Sequence, residues 1–219
     1  MDSNVKKIAC VTGASSGIGY ATAKELATLG YDIIAVARRM DRLKELEEDL
    51  NQNPETSDCR VFLAELDVRN KMDVQSFYDA LPEDWKSIDV LVNNAGLAKG
   101  LSKFYDGDTD HWDQMIDTNI KGLLYMTRSI APLMIARNSG HIFNIGSIAG
   151  KYVYANGNVY CGTKHAVNAL SESMRIDMLQ HGIKVTAIHP GAAETEFSIV
   201  RFKGDELKAK QVYDGFTPL

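Results

Sequence analysis

The chain predicts an α/β fold built on an open, doubly wound parallel sheet. Three observations carry that expectation. Short apolar runs alternate with longer helix-patterned segments along the whole length. The first run stops at a glycine-rich turn that opens a helix. Later runs stop at small or amide residues, the composition expected where parallel strands end at a ligand crevice. With 219 residues, 45% of them hydrophobic, one well-cored domain over 1–219 is enough to hold these elements.

The stretch from Val5 to Val11 contains the apolar run Ile8-Ala9-Cys10-Val11, which reads as a strand buried on both faces. It stops at Thr12-Gly13-Ala14-Ser15-Ser16-Gly17-Ile18-Gly19, and a helical pattern then runs through Leu29 to a C-capping Gly30. Strand, glycine turn and helix form a seat for a pyrophosphate. The glycines permit close backbone approach, and the helix N-terminus offers free amides with partial positive charge. The spacing is G-x-x-x-G-x-G rather than the commoner G-x-G-x-x-G.

Asp32 to Ala37 forms the second strand and ends in Arg38-Arg39. An NAD-binding unit places an acid here, about 20 residues beyond the turn, against the ribose hydroxyls. Two guanidinium groups suit a 2′-phosphate instead, so the cofactor expected is NADP. A helix over Met40 to Asn51 and a disordered-looking connector over Gln52 to Asp58 lead to the third strand, Arg60 to Leu66. Asp67-Val68 closes that strand; Asp67 either accepts from an adenine amino group or caps the helix Asn70 to Leu81. The fourth strand, Ile88 to Val92, stops at Asn93-Asn94-Ala95-Gly96, at the mouth of the predicted crevice.

A polar loop over Leu97 to Thr109 precedes a long helix from Asp110 to Arg137, with Asn119 inside it. A mid-helix Asn is either satisfied locally or frees a carbonyl to hold a water. His141 to Ile145 is the fifth strand, and Ser147 just beyond it is placed to hydrogen-bond a reacting carbonyl. The helix Asn158 to His181 carries Tyr160 and Lys164 in its first turns. Four residues apart, they share one face, and an ammonium beside a phenol favours the phenolate. Ile183 to Ile188 is the sixth strand, ended by His189-Pro190-Gly191, with His189 read as structural. Six strands and five intervening helices predict the order 3-2-1-4-5-6. Residues 191–215 of the charged tail read as a lid that keeps water out of the crevice.

The net charge of -5 and the lack of a basic stripe argue against a nucleic-acid partner. No apolar stretch approaches a membrane span, so no membrane partner is expected. Cys10, Cys59 and Cys161 fit neither a disulfide framework nor a metal site, which suits a cytoplasmic location and no metal.

Thr12 to Gly19, Asn93 to Gly96, Asn119, Ser147, Tyr160 with Lys164, and Pro190-Gly191 stand in the order of the short-chain dehydrogenase/reductase family, which the whole chain resembles. The resemblance implies a single Rossmann domain that transfers a hydride between a nicotinamide and a carbinol or carbonyl carbon. It implies Tyr160 as general acid/base, Lys164 lowering its pKa and holding the nicotinamide ribose, Ser147 on the substrate oxygen, and Asn119 holding a relay water. Gly13, Ser15, Ser16, Gly17, Ile18, Gly19, Arg38, Arg39, Asp67, Val68, Asn94, Ala95, Gly96, Tyr160, Lys164, Pro190, Gly191 and Thr195 would then hold the cofactor. Leu81 to Trp85, Met115 to Gly122, Gly157 to Tyr160 and Thr195 to Asp205 look more closely like the NADP-dependent 3-hydroxy acid dehydrogenases. That implies a small-molecule hydroxy-acid substrate held by Ser147, Tyr160 and Arg201, with Lys203 less suited to a forked carboxylate contact. It also implies a homotetramer, and a last helix and seventh strand that this chain does not contain. A broad carbonyl reductase and a non-catalytic NADPH-binding regulator are the alternative readings.

Overall fold

The computed structural model describes residues 6–202 and 204–211, and for 209–211 the backbone alone. Six strands form one sheet: β1 (Ile8–Thr12), β2 (Asp32–Ala37), β3 (Val61–Glu65), β4 (Ile88–Asn93), β5 (His141–Ile145) and β6 (Lys184–Ile188). Every pairing is parallel, and the order is β3-β2-β1-β4-β5-β6, as the alternation of elements predicts. Helices cover both faces: α1 (Gly17–Thr28), α2 (Met40–Gln52), α3 (Lys71–Ala80), α4 (Thr109–Ile116), α5 (Leu123–Arg137) and α6 (Asn158–Met178). Two short helices, α7 (Glu196–Arg201) and α8 (Glu206–Gln211), lie beyond the last strand.

The strand period of two sorts the core into two layers. Ile8 and Cys10 of β1, Ile34 and Val36 of β2, and Leu91 of β4 pack with Val74, Met126, Ile130, Met134 and Val167 of α3, α5 and α6. The alternate residues Ala9, Val11, Ile33, Ala35, Val90 and Val92 pack with Ala23, Ala27, Leu43, Leu46 and Leu50 of α1 and α2. Both faces being covered explains why β1 and β2 are buried at every position and read as continuous apolar runs.

Several boundaries differ from expectation. The first strand starts at Ile8, where the apolar run begins, and extends one residue past Val11 to Thr12; Val5 lies outside the described residues. The connector at 52–58 is pinned rather than loose: Gln52 belongs to α2, and beyond it Thr56 is buried with its hydroxyl donating to the Leu50 carbonyl at 2.7 Å. Asn70, not Asp67, caps α3, its side chain accepting from the Met72 and Asp73 amides. The long helix is continuous from Thr109 to Arg137, but π turns span Asp117–Gly122 between α4 and α5. The sixth helix ends at Met178, and 179–181 form a 3₁₀ turn.

The carboxyl ends of the central strands are tied by a buried polar network. Asn93 at the end of β4 donates to Asn144 of β5 at 2.9 Å and to Thr127 of α5 at 2.9 Å, and Asn144 donates to Ser171 of α6 at 2.9 Å. These groups are all cut off from water, so each missing partner carries a full desolvation cost. Asn144→Ala is expected to destabilise the fold by about 2–3 kcal/mol. In urea unfolding this appears as a lower midpoint with an unchanged slope.

Candidate active site

A cavity of about 960 Å³ opens at the carboxyl ends of β1, β4 and β5, where the strand order reverses. Its first wall is the glycine turn. Gly13 and Gly17 take φ of +68° and +53°, the left-handed region that a side chain resists. A Cβ on Gly19 would lie 2.3 Å from the Gly13 carbonyl oxygen, and one on Gly13 2.8 Å from Asn94 Nδ2. Asn94 is bonded into the turn, its amide donating to the carbonyls of Thr12 at 2.9 Å and Gly13 at 3.2 Å. Thr12 Oγ1 in return accepts from the amides of Asn94 and Ala95, both at 3.0 Å. The α1 N-terminus is thereby aimed into the cavity beside Ser15, Ser16 and Ile18, in the arrangement that receives a pyrophosphate.

Arg38 and Arg39 stand on the same rim, beyond β2. Arg38 makes no ion pair among the described residues. Arg39 donates to Glu196 of α7 at 2.9 Å and to Ser15 Oγ at 3.3 Å, so it links the rim to the lid. Asp67 and Val68 line the cavity at the end of β3. The Asp67 carboxylate is gripped by the Arg69 guanidinium through both oxygens, which commits it to an internal pair. Val68 is held against Gly122 of the π segment, where a Cβ would come within 2.6 Å of its methyl.

The opposite end gathers the remaining predicted residues. Tyr160 and Lys164 lie on one face at the head of α6 and are both buried. Lys164 Nζ donates to the Ile145 carbonyl at 2.9 Å and lies 5.9 Å from the centre of the Tyr160 ring. Ser147 follows β5, its hydroxyl accepting from the Ala149 amide at 3.1 Å. The Asn119 side chain straps the loop after β4 to the helices: it accepts from Leu97 N at 2.8 Å, and donates to Leu97 O at 2.8 Å and Thr163 Oγ1 at 3.0 Å. A Cβ on Gly96 would touch both Asn119 Oδ1, at 3.3 Å, and Lys164 Nζ, at 3.5 Å.

Electrostatics correct one expectation. The ammonium of Lys164 was expected to bring the phenol below its ordinary value. Burial instead pushes Tyr160 up to about 12, opposed by the Ser147 hydrogen bond and the Arg201 charge. Burial also holds the Lys164 ammonium down to about 8. Desolvation disfavours both charged forms, and here it outweighs the neighbours.

Residues from the predicted lid close the cavity. Thr195 caps α7 and lies against Gly17, whose Cβ would be 3.2 Å from it. Pro190 accepts at its carbonyl from the Ile148 amide at 3.0 Å, and Gly191 lines the wall beside it. Arg201 is only 7% exposed. It donates to the Gly100 carbonyl at 3.1 Å and to the Tyr154 hydroxyl at 3.2 Å. Its guanidinium carbon lies 5.7 Å from the Tyr160 ring centre, and it makes no ion pair among the described residues. Lys203 and residues 212–215 of the predicted lid lie outside the described residues. His189 bonds the Ser147 carbonyl at 3.1 Å, a structural role.

Lining residues that the sequence did not single out include Thr118, Tyr154, Glu196 and Phe197. Thr118 Oγ1 is buried with no hydrogen-bond partner among the described residues. Phe197 lies 5.8 Å from the Tyr160 ring. A threonine beside Asn119 and an aromatic in a charged tail carry no signal of their own.

A dinucleotide crevice at the switch point of a parallel sheet, with a Tyr and a Lys one helical turn apart facing a Ser, defines a class of oxidoreductase. The sequence profile of the short chain dehydrogenase family matches residues 7–205, and the chain belongs to that family. NADP-dependent 3-hydroxy acid dehydrogenase YdfG of Escherichia coli strain K12 is 45% identical over 213 residues, 97% of this chain and 83% of that protein. The NADP-dependent 3-hydroxy acid dehydrogenase of Schizosaccharomyces pombe is 41% identical over 97% of this chain and 82% of its own. The closed form of a serine dehydrogenase complexed with NADP+ superposes with a TM-score of 0.89, at 44% identity over 96% of this chain and 82% of that one.

Gly19→Ala is expected to force the turn open, because its Cβ meets a backbone carbonyl that cannot swing aside. The measurement is fluorescence titration with NADPH, where the affinity should fall at least about tenfold.

Proposed function

We propose that this chain is an NADP-dependent dehydrogenase acting at C3 of small 3-hydroxy acids, of the serine, allo-threonine or 3-hydroxypropionate type. The observation that carries the substrate class is Arg201. A guanidinium buried to 7% exposure beside Tyr160, with only neutral partners among the described residues, suits a ligand carboxylate. The names of the relatives, 3-hydroxy acid dehydrogenase and serine dehydrogenase, support the same class.

The fit to NADP rests on the crowding at the turn and on the two rim cations. Side chains are excluded at Gly13, Gly17 and Gly19, so amides of the turn and of the α1 N-terminus approach the pyrophosphate directly. Arg38, with Arg39 beside it, would take the 2′-phosphate. Asp67 and Val68 would hold the adenosine end, and Lys164 with Asn94 to Gly96 would hold the ribose next to the nicotinamide. NADP, when bound, supplies the acceptor for the hydride lost from C3.

The side chains move the proton. Tyr160 takes the proton of the C3 hydroxyl in oxidation and returns one in reduction, while Ser147 holds the same oxygen by hydrogen bond. A phenol pushed up to about 12 is protonated at neutral pH, ready as an acid for reduction. As a base it is scarce, so the oxidative rate should climb as the pH rises. Phe197, Leu97 and Ala149 surround the phenol and exclude water from the exchange. The family resemblance also implies a homotetramer, which light scattering on the full chain reads directly.

The deciding experiment follows NADP reduction with L-serine, allo-threonine, 3-hydroxyisobutyrate and 3-hydroxypropionate. Turnover on at least one acid is expected; NADP reduction only with neutral alcohols, or NADPH oxidation only with neutral ketones, would return the chain to a broad carbonyl reductase. Tyr160→Phe should bind NADPH as the wild type does and lose roughly 10²–10⁴-fold in turnover. A variant that keeps most of its rate would mean that Tyr160 is not the proton donor.

A further inference from the structure

Two cations approach the Tyr160 phenol, and their settings differ. Lys164 lies on the same helix, and its ammonium donates one hydrogen bond to the Ile145 carbonyl, with the Nζ 5.9 Å from the ring centre. Arg201 comes from the lid and stands 5.7 Å from the same ring, with Tyr154 and Phe202 at 5.8 and 5.9 Å around it. The other groups facing the phenol are Ser147 beyond β5, Tyr154 in the loop before α6, and Cys161 next to it on α6. None of these is a carboxylate, so no acidic side chain named among the described residues there offsets the two cations.

The pH range matters as much as the distance. Burial holds the Lys164 ammonium down to about 8, while it pushes the phenol up to about 12. A guanidinium stays charged throughout. The Arg201 charge accordingly acts on Tyr160 to favour the ionised form, and it does so in a site where water screens little.

We propose that Arg201 is a charge-positioning residue for proton transfer as well as a substrate contact: docked on the Gly100 loop, it stabilises the Tyr160 phenolate, so base strength is set by the lid. The docking is built from both backbone and side chain. The Gly100 amide donates to the Arg201 carbonyl at 3.1 Å, and Arg201 Nε donates back to the Gly100 carbonyl at 3.1 Å. Phe197, on the same short helix, closes against the Tyr160 ring. An undocked lid would remove both the cation and the apolar cover from the phenol, and the base would be competent only when the site is shut.

The inference rests on Tyr160 being the acid/base group, and the test separates the two roles of Arg201. The measurement is kcat/KM for oxidation against pH, with the fastest acid of the panel, because this ratio reports ionisations of the free enzyme. Arg201→Gln removes the charge, and Arg201→Lys keeps a cation without the forked geometry. In Arg201→Gln the ascending limb should move to higher pH, with a loss below the limb of roughly tenfold beyond that seen above it. Arg201→Lys should keep the limb near its wild-type position.

A fall in kcat/KM by one factor at every pH, with the limb unmoved, would overturn the charge role while upholding carboxylate binding. A moved limb with no loss above it would uphold the charge role and sink the carboxylate reading. Equal displacement of the limb in both variants would also overturn the proposal, since a purely structural defect of the lid moves both alike.

Discussion

The interaction on which the site depends is the stitch between β1 and β4. Thr12 and Asn94 exchange side-chain and backbone hydrogen bonds across the two strand ends. That contact holds the glycine turn flat against the crevice and sets the direction in which α1 leaves it. It also requires Gly13 and Gly19 to have no side chain, because the Asn94 amide occupies the space where a Cβ would go. The pyrophosphate seat is therefore shaped as much by the fourth strand as by the turn itself. Asn94, which lines the cavity, also builds that seat through its bonds to the Thr12 and Gly13 carbonyls.

Desolvation is the second constraint. Tyr160 and Lys164 are buried at the head of α6, and both are pushed toward their neutral forms. Under the proposed role of Tyr160, a cation from outside the helix would favour its ionised form, and Arg201 of α7 stands closest to that role. The same short helix also reaches the opposite rim through Glu196 and Arg39. Those two side chains are each about two-fifths exposed, so their pair adds little stability by itself. Its significance is geometric, because it joins the cation rim to the same short helix that carries Arg201.

Much of the architecture was legible before any coordinates. Strands buried on both faces give continuous apolar runs, and those runs at β1, β2 and β4 placed the sheet and its order correctly. The glycine spacing and the Tyr160–Lys164 spacing are local, and local geometry is what a sequence states most directly. The π turns at Asp117–Gly122 were not legible, since nothing in Asp-Thr-Asn-Ile-Lys-Gly distinguishes a π turn from an α turn. The strap from Asn119 to Leu97 and Thr163 reaches across 22 and 44 positions, and no local pattern encodes such a partner.

By itself the sequence determined the fold class, the strand order, the position of the phosphate seat, and the residue types gathered around it. These follow from periodicity, turn chemistry and the fixed hand of parallel crossovers, all of which act over short stretches of chain. Only the tertiary structure decided how those residues are charged and paired. It paired Asp67 with Arg69, Asn94 with the turn and Lys164 with the Ile145 carbonyl, and it brought Arg201 to within 5.7 Å of the Tyr160 ring centre. The physical reason is that ionisation and hydrogen-bond partnership depend on burial and distance, and both are set by segments far apart in the chain.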